Sequence, residues 1–244
     1  MDAGLTDEKR RLLKYVIMLN ERSIAFDKSE RGTFQQDYFL DYKIPVVLHT
    51  PWMDCNILLP KGYIDKIIRM LKEKISTGVY KESQSPYCSQ WFCVKKKNSE
   101  LYIIHDLQKL NKVTMRDSGV PPILDEFVEA HAGRSVYPVL DMYWGFYARI
   151  MDPSSRDMTA FQTPIGLLWI ISLPMGFINS PAEFQACMMF ILQKEIPEVA
   201  GVFIVDIPIK GPETCYEMED GKEETITGNP GIRRFIWEHI QDLL

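Results

Sequence analysis

The sequence contains no CxxC pair, and its five cysteines (Cys55, Cys88, Cys93, Cys187 and Cys215) are odd in number. They read as free thiols rather than as a disulfide framework, with a structural zinc site the minor alternative. Long apolar runs are also missing. The longest uncharged stretch, 158–182, is interrupted by Gln162, Pro164, Gly166, Pro174, Gly176 and Asn179, so it is no membrane-spanning helix of roughly 20 apolar residues. The N-terminus, MDAGLTDEKRRLLKYV, has no apolar core and no cleavage signature, and the expectation is an intracellular protein, with cytoplasm and nucleus unresolved. No repeat or low-complexity tract is present. A net positive charge is absent as well: the balance is −5, which taken whole argues against a nucleic-acid binder. Disorder is excluded by the 46% of apolar residues in 244, enough for a core.

The charge is unevenly spread. Residues 61–120 hold 12 Lys/Arg against 6 Asp/Glu. Much of the compensating acidity lies in Glu213, Glu217, Glu219, Asp220, Glu223 and Glu224. A basic region and an acidic loop therefore coexist, either as two solvated faces or as a nucleic-acid footprint beside an acidic one.

Patterning gives the elements. Thr6 can cap a helix to about Glu21, with Leu12, Leu13, Val16 and Ile17 on one face. After Pro60, residues Ile64, Ile67, Ile68, Leu71 and Ile75 form an amphipathic stripe that Gly78 ends. Two strands, 90–95 and 101–105, flank a basic turn. A helix over 123–132 stops at Gly133, and 137–141 is a strand ending in a carboxylate. A second hairpin pairs 158–163 with 167–173. Ser180-Pro181-Ala182-Glu183 reads as a capping box opening a helix to about Lys194. Residues 201–210 form a β-rich run, and Asn229-Pro230 opens a final helix. Locally joined strands with helices between them give an α+β fold, helices packed on a largely antiparallel sheet. The expected organisation is an N-terminal lead-in over 1–59, a middle region over 60–135 and a C-terminal region over 136–244.

Two carboxylates stand where apolar residues belong. Asp141 ends YPVLD, and Asp206 interrupts VFIVDIPI. A lone aspartate at a strand end is usually a turn residue. Two in apolar β contexts suit a phosphoryl-transfer site, where hard oxygen ligands hold Mg²⁺.

Four segments, in order, carry a resemblance: SQSPYCSQWFCVKKK, HDLQKLNKVTMRD, LDMYWGFYARI and TAFQTPIGLLWIISLPMGFINSPAEFQACM. They resemble the reverse transcriptase domain of gypsy-like long-terminal-repeat retrotransposons, over roughly residues 30–244. The resemblance implies a right-hand polymerase fold with fingers and the start of the palm over 60–135 and the rest of the palm over 136–244. It implies RNA-directed DNA polymerisation through two Mg²⁺ ions, with a template-primer and deoxynucleoside triphosphates as partners. Asp141 and Asp206 are then the metal ligands and catalytic carboxylates. Phe146 is the aromatic that excludes a ribose 2′-OH. Lys96 contacts the triphosphate, and Met175, within Pro174–Gly176, faces the nascent base pair.

The sequence departs from that pattern in three ways. Val205 stands where the family has the first aspartate of its [YF]xDD hairpin, and valine offers no oxygen to a cation. Tyr102 replaces the arginine that grips the triphosphate, and a phenol supplies neither charge nor a bidentate fork. The thumb, connection, RNase H and protease regions of the family fall outside these residues. The expectation is a polymerase-derived domain with impaired catalysis. Two readings compete: a subunit that borrows the missing parts from a partner, and a non-catalytic module that binds nucleic acid or protein through its basic region.

Overall fold

The computed structural model describes residues 7–95, 101–119 and 121–242. In chain order, α1 (Asp7–Leu19) and α2 (Ile64–Ser76) precede β1 (Tyr80–Glu82), β2 (Trp91–Lys95) and β3 (Leu101–His105). Helices α3 (Gln108–Val113) and α4 (Leu124–His131) lead to β4 (Val139–Asp141), α5 (Gly145–Ala148) and α6 (Pro153–Arg156). Then come β5 (Phe161–Thr163), β6 (Gly166–Ile170), α7 (Ser180–Ile191) and β7 (Asp206–Pro208). A hairpin of β8 (Thr225–Ile226) and β9 (Asn229–Arg233) runs into α8 (Arg234–Asp242). All strand pairs between named strands are antiparallel, and the α+β class holds. Two compact units result, each discontinuous in sequence. One comprises Met1–Phe26, Val120–Tyr143 and Gln185–Leu244; the other Asp27–Gly119 and Trp144–Phe184. No described helix is long and apolar enough to cross a membrane.

The core of the second unit grows from the α2 stripe. Ile67 and Leu71 are completely buried, among Val79, Trp91, Leu110, Phe161 and Leu168. Burying such side chains is worth roughly 1.5–3 kcal/mol each. The helix stops through a Schellman arrangement. The Val79 N–H donates to Lys74 O (2.9 Å) and the Gly78 N–H to Ile75 O (3.0 Å), while Gly78 takes φ +70°, which only glycine adopts without strain. β6 is the centre of a three-stranded sheet between β1 and β5. The β2–β3 hairpin pairs Trp91 with His105 and Val94 with Tyr102. The indole of Trp91 donates to Gln162 O at 2.6 Å.

In the first unit, β7 pairs with β4 on one side and with the chain over 200–203 on the other, through Ala200–Ile209 and Phe203–Asp206 bridges. His131 of α4 lies against the 200–203 segment. A Cβ on Gly201 would stand 2.5 Å from His131 Cε1, so only glycine lets helix and strand approach so closely.

Three sequence expectations need correction. The stripe on α1 is largely solvent-facing: Val16 is buried, but Leu13 and Ile17 are exposed. The capping box at Ser180 does not form. The Glu183 N–H donates to Asn179 O (2.9 Å), so Asn179 is the cap residue. The Ser180 hydroxyl donates to Pro174 O (2.8 Å), and the Glu183 carboxylate binds Arg149 instead. Asn229-Pro230 opens a strand rather than a helix. Asn229 Oδ1 accepts the Gly231 N–H (3.0 Å), an Asx turn, and Thr227-Gly228 folds β9 back onto β8. The acidic loop is also partly neutralised, with Glu223 paired to Arg233 and Glu224 to Arg234.

Candidate active site

The site starts from a two-residue turn. The Phe203 N–H donates to Asp206 O (2.8 Å) and the Asp206 N–H to Phe203 O (3.0 Å), leaving Ile204 and Val205 at the tip. Ile204 has φ +58°. A β-branched residue in this left-handed region carries strain of roughly 1–3 kcal/mol. The surroundings hold it there. Gln185, buried on α7, accepts the Ile204 N–H through Oε1 (2.7 Å) and donates from Nε2 to Val202 O (3.0 Å). One side chain thus ties the incoming arm and the tip of the turn to a helix.

Across the sheet, Asp141 is the register partner of Asp206. The Met142 N–H donates to Val205 O (3.0 Å), so Met142–Val205 is a hydrogen-bonded pair. Asp141–Asp206 is therefore the adjacent non-hydrogen-bonded pair, the closer kind, with Cα atoms about 4.5 Å apart. Both side chains share one face, and both residues are exposed. Two like charges directly opposite each other destabilise a ladder, and a cation between them removes the penalty. Such a pair suits one divalent ion. It does not suit two, because no group of three His, Cys, Asp or Glu residues able to hold a metal occurs among the described residues and Val205 brings no side-chain oxygen. The described residues therefore do not fit a two-Mg²⁺ arrangement.

The other residues singled out in the sequence belong to the second unit. Phe146 lies on α5 and meets Phe184 edge to face at 5.4 Å. Met175 is exposed, in a turn held by Asn111. The Asn111 side chain donates to Gly176 O and accepts the Ile178 N–H, both at 2.9 Å. Tyr102 is 40% exposed on β3, a solvent-facing strand residue without the cationic fork that a triphosphate needs. Lys96 lies outside the described residues.

Three residues that sequence reasoning passed over organise these turns: Gln185, Asn111 and Asn179. The Asn179 side chain donates to Met115 O (2.9 Å) and accepts the Asp117 N–H (3.1 Å). The signal was present, since each lies inside a quoted motif (LNKVT, FINSP, EFQAC). A buried ion pair adds to this, Arg149 Nε to Glu183 Oε1 at 2.7 Å, with Arg149 Nη1 also donating to Leu40 O (2.5 Å).

No family model matches the chain. Curated relatives do. The Pol polyprotein of Drosophila melanogaster transposon 297 is 27% identical over 198 residues, covering 79% of this chain. That of transposon opus is 31% identical over 153 residues, covering 61%. The enzymatic polyprotein of Cauliflower mosaic virus (strain D/H) is 29% identical over 124 residues, covering 49%. The chain spans only 18%, 15% and 18% of these relatives' lengths. Among solved structures, native prototype foamy virus protease-reverse transcriptase superposes with a TM-score of 0.74 at 21% identity, over 86% of this chain and 28% of that one. A foamy viral protease-reverse transcriptase in complex with double-stranded DNA gives 0.75 at 19%, over 86% and 36%. The chain is a relative of the Pol polyproteins of gypsy-like LTR retrotransposons and has the α+β fold of a reverse transcriptase.

Proposed function

We propose that the chain is a reverse transcriptase-related domain that has kept the polymerase scaffold and lost efficient nucleotidyl transfer. By kinship its partners are a template-primer duplex and deoxynucleoside triphosphates. The observation that carries this reading is the hairpin itself: Asp141 and Asp206 face each other in register, and Val205 occupies the place of a third carboxylate. Phosphoryl transfer depends almost wholly on positioning and metal electrostatics. An incomplete ligand set thus removes the main source of rate, plausibly 10³-fold or more. Tyr102 weakens triphosphate binding in the same direction. The test is templated primer extension by the 244-residue chain with Mg²⁺ or Mn²⁺. Incorporation at background level is expected, and robust extension overturns the reading.

A second reading has its own support. Lys61, Lys66, Arg69, Lys72, Lys81, Lys95, Lys112 and Arg116 are all exposed in the second unit, so the basic region is available to phosphates, while Lys109 is engaged by Asp54. Foamy viral relatives in fold have been solved with RNA/DNA hybrid and with double-stranded DNA. Duplex binding that weakens steeply with salt, without extension, is the expected behaviour of a scaffold that still binds. Salt-independent or absent binding removes this second reading and leaves the first standing.

A further inference from the structure

Beyond the end of β7, on the side away from the Ile204–Val205 tip, the first unit opens into a cavity of about 320 Å³. Backbone bonds fix its base. The Lys210 N–H donates to Val199 O (2.7 Å) and the Ser135 N–H to Pro212 O (2.9 Å). Between these two anchors lies Gly211, where a Cβ would stand 2.3 Å from Val136 O, so only glycine lets the segments close up. Tyr216 also lines the cavity. It sits at φ +52°, a conformation that a tyrosine keeps only when its surroundings impose it. Glu238 accepts its hydroxyl (2.6 Å), and the Arg234 guanidinium lies 4.2 Å from the ring centroid.

The charges of the lining carry both signs, and they are not equally engaged. Tyr216 and Arg234 hold the two oxygens of Glu238. Arg134 donates to Gly211 O (3.3 Å) and pairs with the exposed Glu213 at 3.4 Å, which leaves most of its N–H donors over. The Lys210 ammonium donates to Pro197 O (2.5 Å) and has further donors to give. Glu198 stands at the exposed rim. Lys210 and Glu198 line one cavity with opposite charges, yet neither has an ion-pair partner among the described residues. A purely anionic ligand suits Arg134 and Lys210 but is repelled by Glu198, and a purely cationic one meets the reverse. A small molecule with a carboxylate and an ammonium answers all three, the carboxylate on the guanidinium fork and the lysine. Val199, Pro212 and Tyr216 add apolar surface, and the volume is at the small end for ligand cavities.

We propose that this cavity binds a free α-amino acid with an apolar side chain, its carboxylate on Arg134 and Lys210 and its ammonium on Glu198. The polymerase reading uses none of these residues, so the two stand or fall separately.

The test is calorimetric titration of the full chain with L-leucine and L-phenylalanine, beside 4-methylpentanoate and isopentylamine, which keep the leucine side chain and one charge each. At least one amino acid is expected to bind saturably, with Kd on the order of 1 mM or tighter, and each single-charge analogue about tenfold more weakly. Glu198→Gln, an exposed change that keeps the side chain's shape, and Lys210→Met, checked for folding by circular dichroism, are each expected to lower the affinity about tenfold. No saturable binding of either amino acid, an analogue that binds as tightly as the amino acid, or an affinity that Glu198→Gln leaves unchanged overturns the proposal.

Discussion

At the residue scale, the hairpin carries its own contradiction. Asp141 and Asp206 oppose each other in register, an arrangement that weakens a ladder unless a cation sits between them. Removing one charge while keeping its shape separates stability from function. Asp206→Asn is expected to stabilise the fold by about 0.2–1 kcal/mol at low salt, with the gain fading at high salt, and to abolish divalent-cation binding. Urea midpoints at two ionic strengths check the first half, and a destabilised variant contradicts it. Gln185 is the opposite case, a residue on which the turn depends. Gln185→Leu leaves the Ile204 N–H and the Val202 carbonyl without their side-chain partner, at a cost of about 1–3 kcal/mol. Hydrogen exchange at the Ile204 amide is expected to accelerate more than exchange in α2. These roles divide by legibility. The two aspartates stood out because a charge inside an apolar strand is anomalous. Gln185 did not, because a glutamine in a helix breaks no pattern; its role is set by a bond to a turn nearly twenty residues later.

At the element scale, periodicity succeeded where one face is truly buried. The α2 stripe places Ile67 and Leu71 at full burial, so Leu71→Ala is expected to cost about 2–5 kcal/mol. Gly78→Ala, which forces a Cβ into the left-handed region, is expected to cost about 1–2 kcal/mol. Thermal or chemical denaturation measures both. The same reasoning failed for α1, whose apolar stripe is mostly exposed, since a stripe shows amphipathicity and not what covers it. It failed again at Ser180 and Asn229. Ser-Pro-Ala-Glu and Asn-Pro are local helix signals, but tertiary bonds took the groups that a cap would use. Arg149 claimed the Glu183 carboxylate, and the Gly231 N–H claimed the Asn229 side chain. The resemblance to reverse transcriptases survived these errors because it rests on ordered motifs rather than on cap chemistry.

At the scale of the whole molecule, stability should depend on pH through His105. Its ring nitrogens are out of solvent, one sharing a hydrogen bond with the Tyr80 hydroxyl at 2.9 Å. Burial, helped by Lys74, holds the imidazole neutral and pushes it down to about 3. The folded value lies below that of the unfolded chain, near 6.5. The unfolded state therefore binds the extra proton first. The contribution is fully present above about pH 6.5 and is lost as the pH falls toward 3. Urea midpoints are expected to drop between pH 7 and pH 4, and His105→Gln should flatten that part of the profile; an equally steep profile in the variant places the effect elsewhere. The proposed function turns on the ligand set at the hairpin, which Mn²⁺ titration by calorimetry and electron paramagnetic resonance reads without any need for turnover. The account predicts one weakly held ion in the unaltered chain, none in Asp206→Asn, and tighter binding with a second ion in Val205→Asp. Two tightly held ions in the unaltered chain would contradict it.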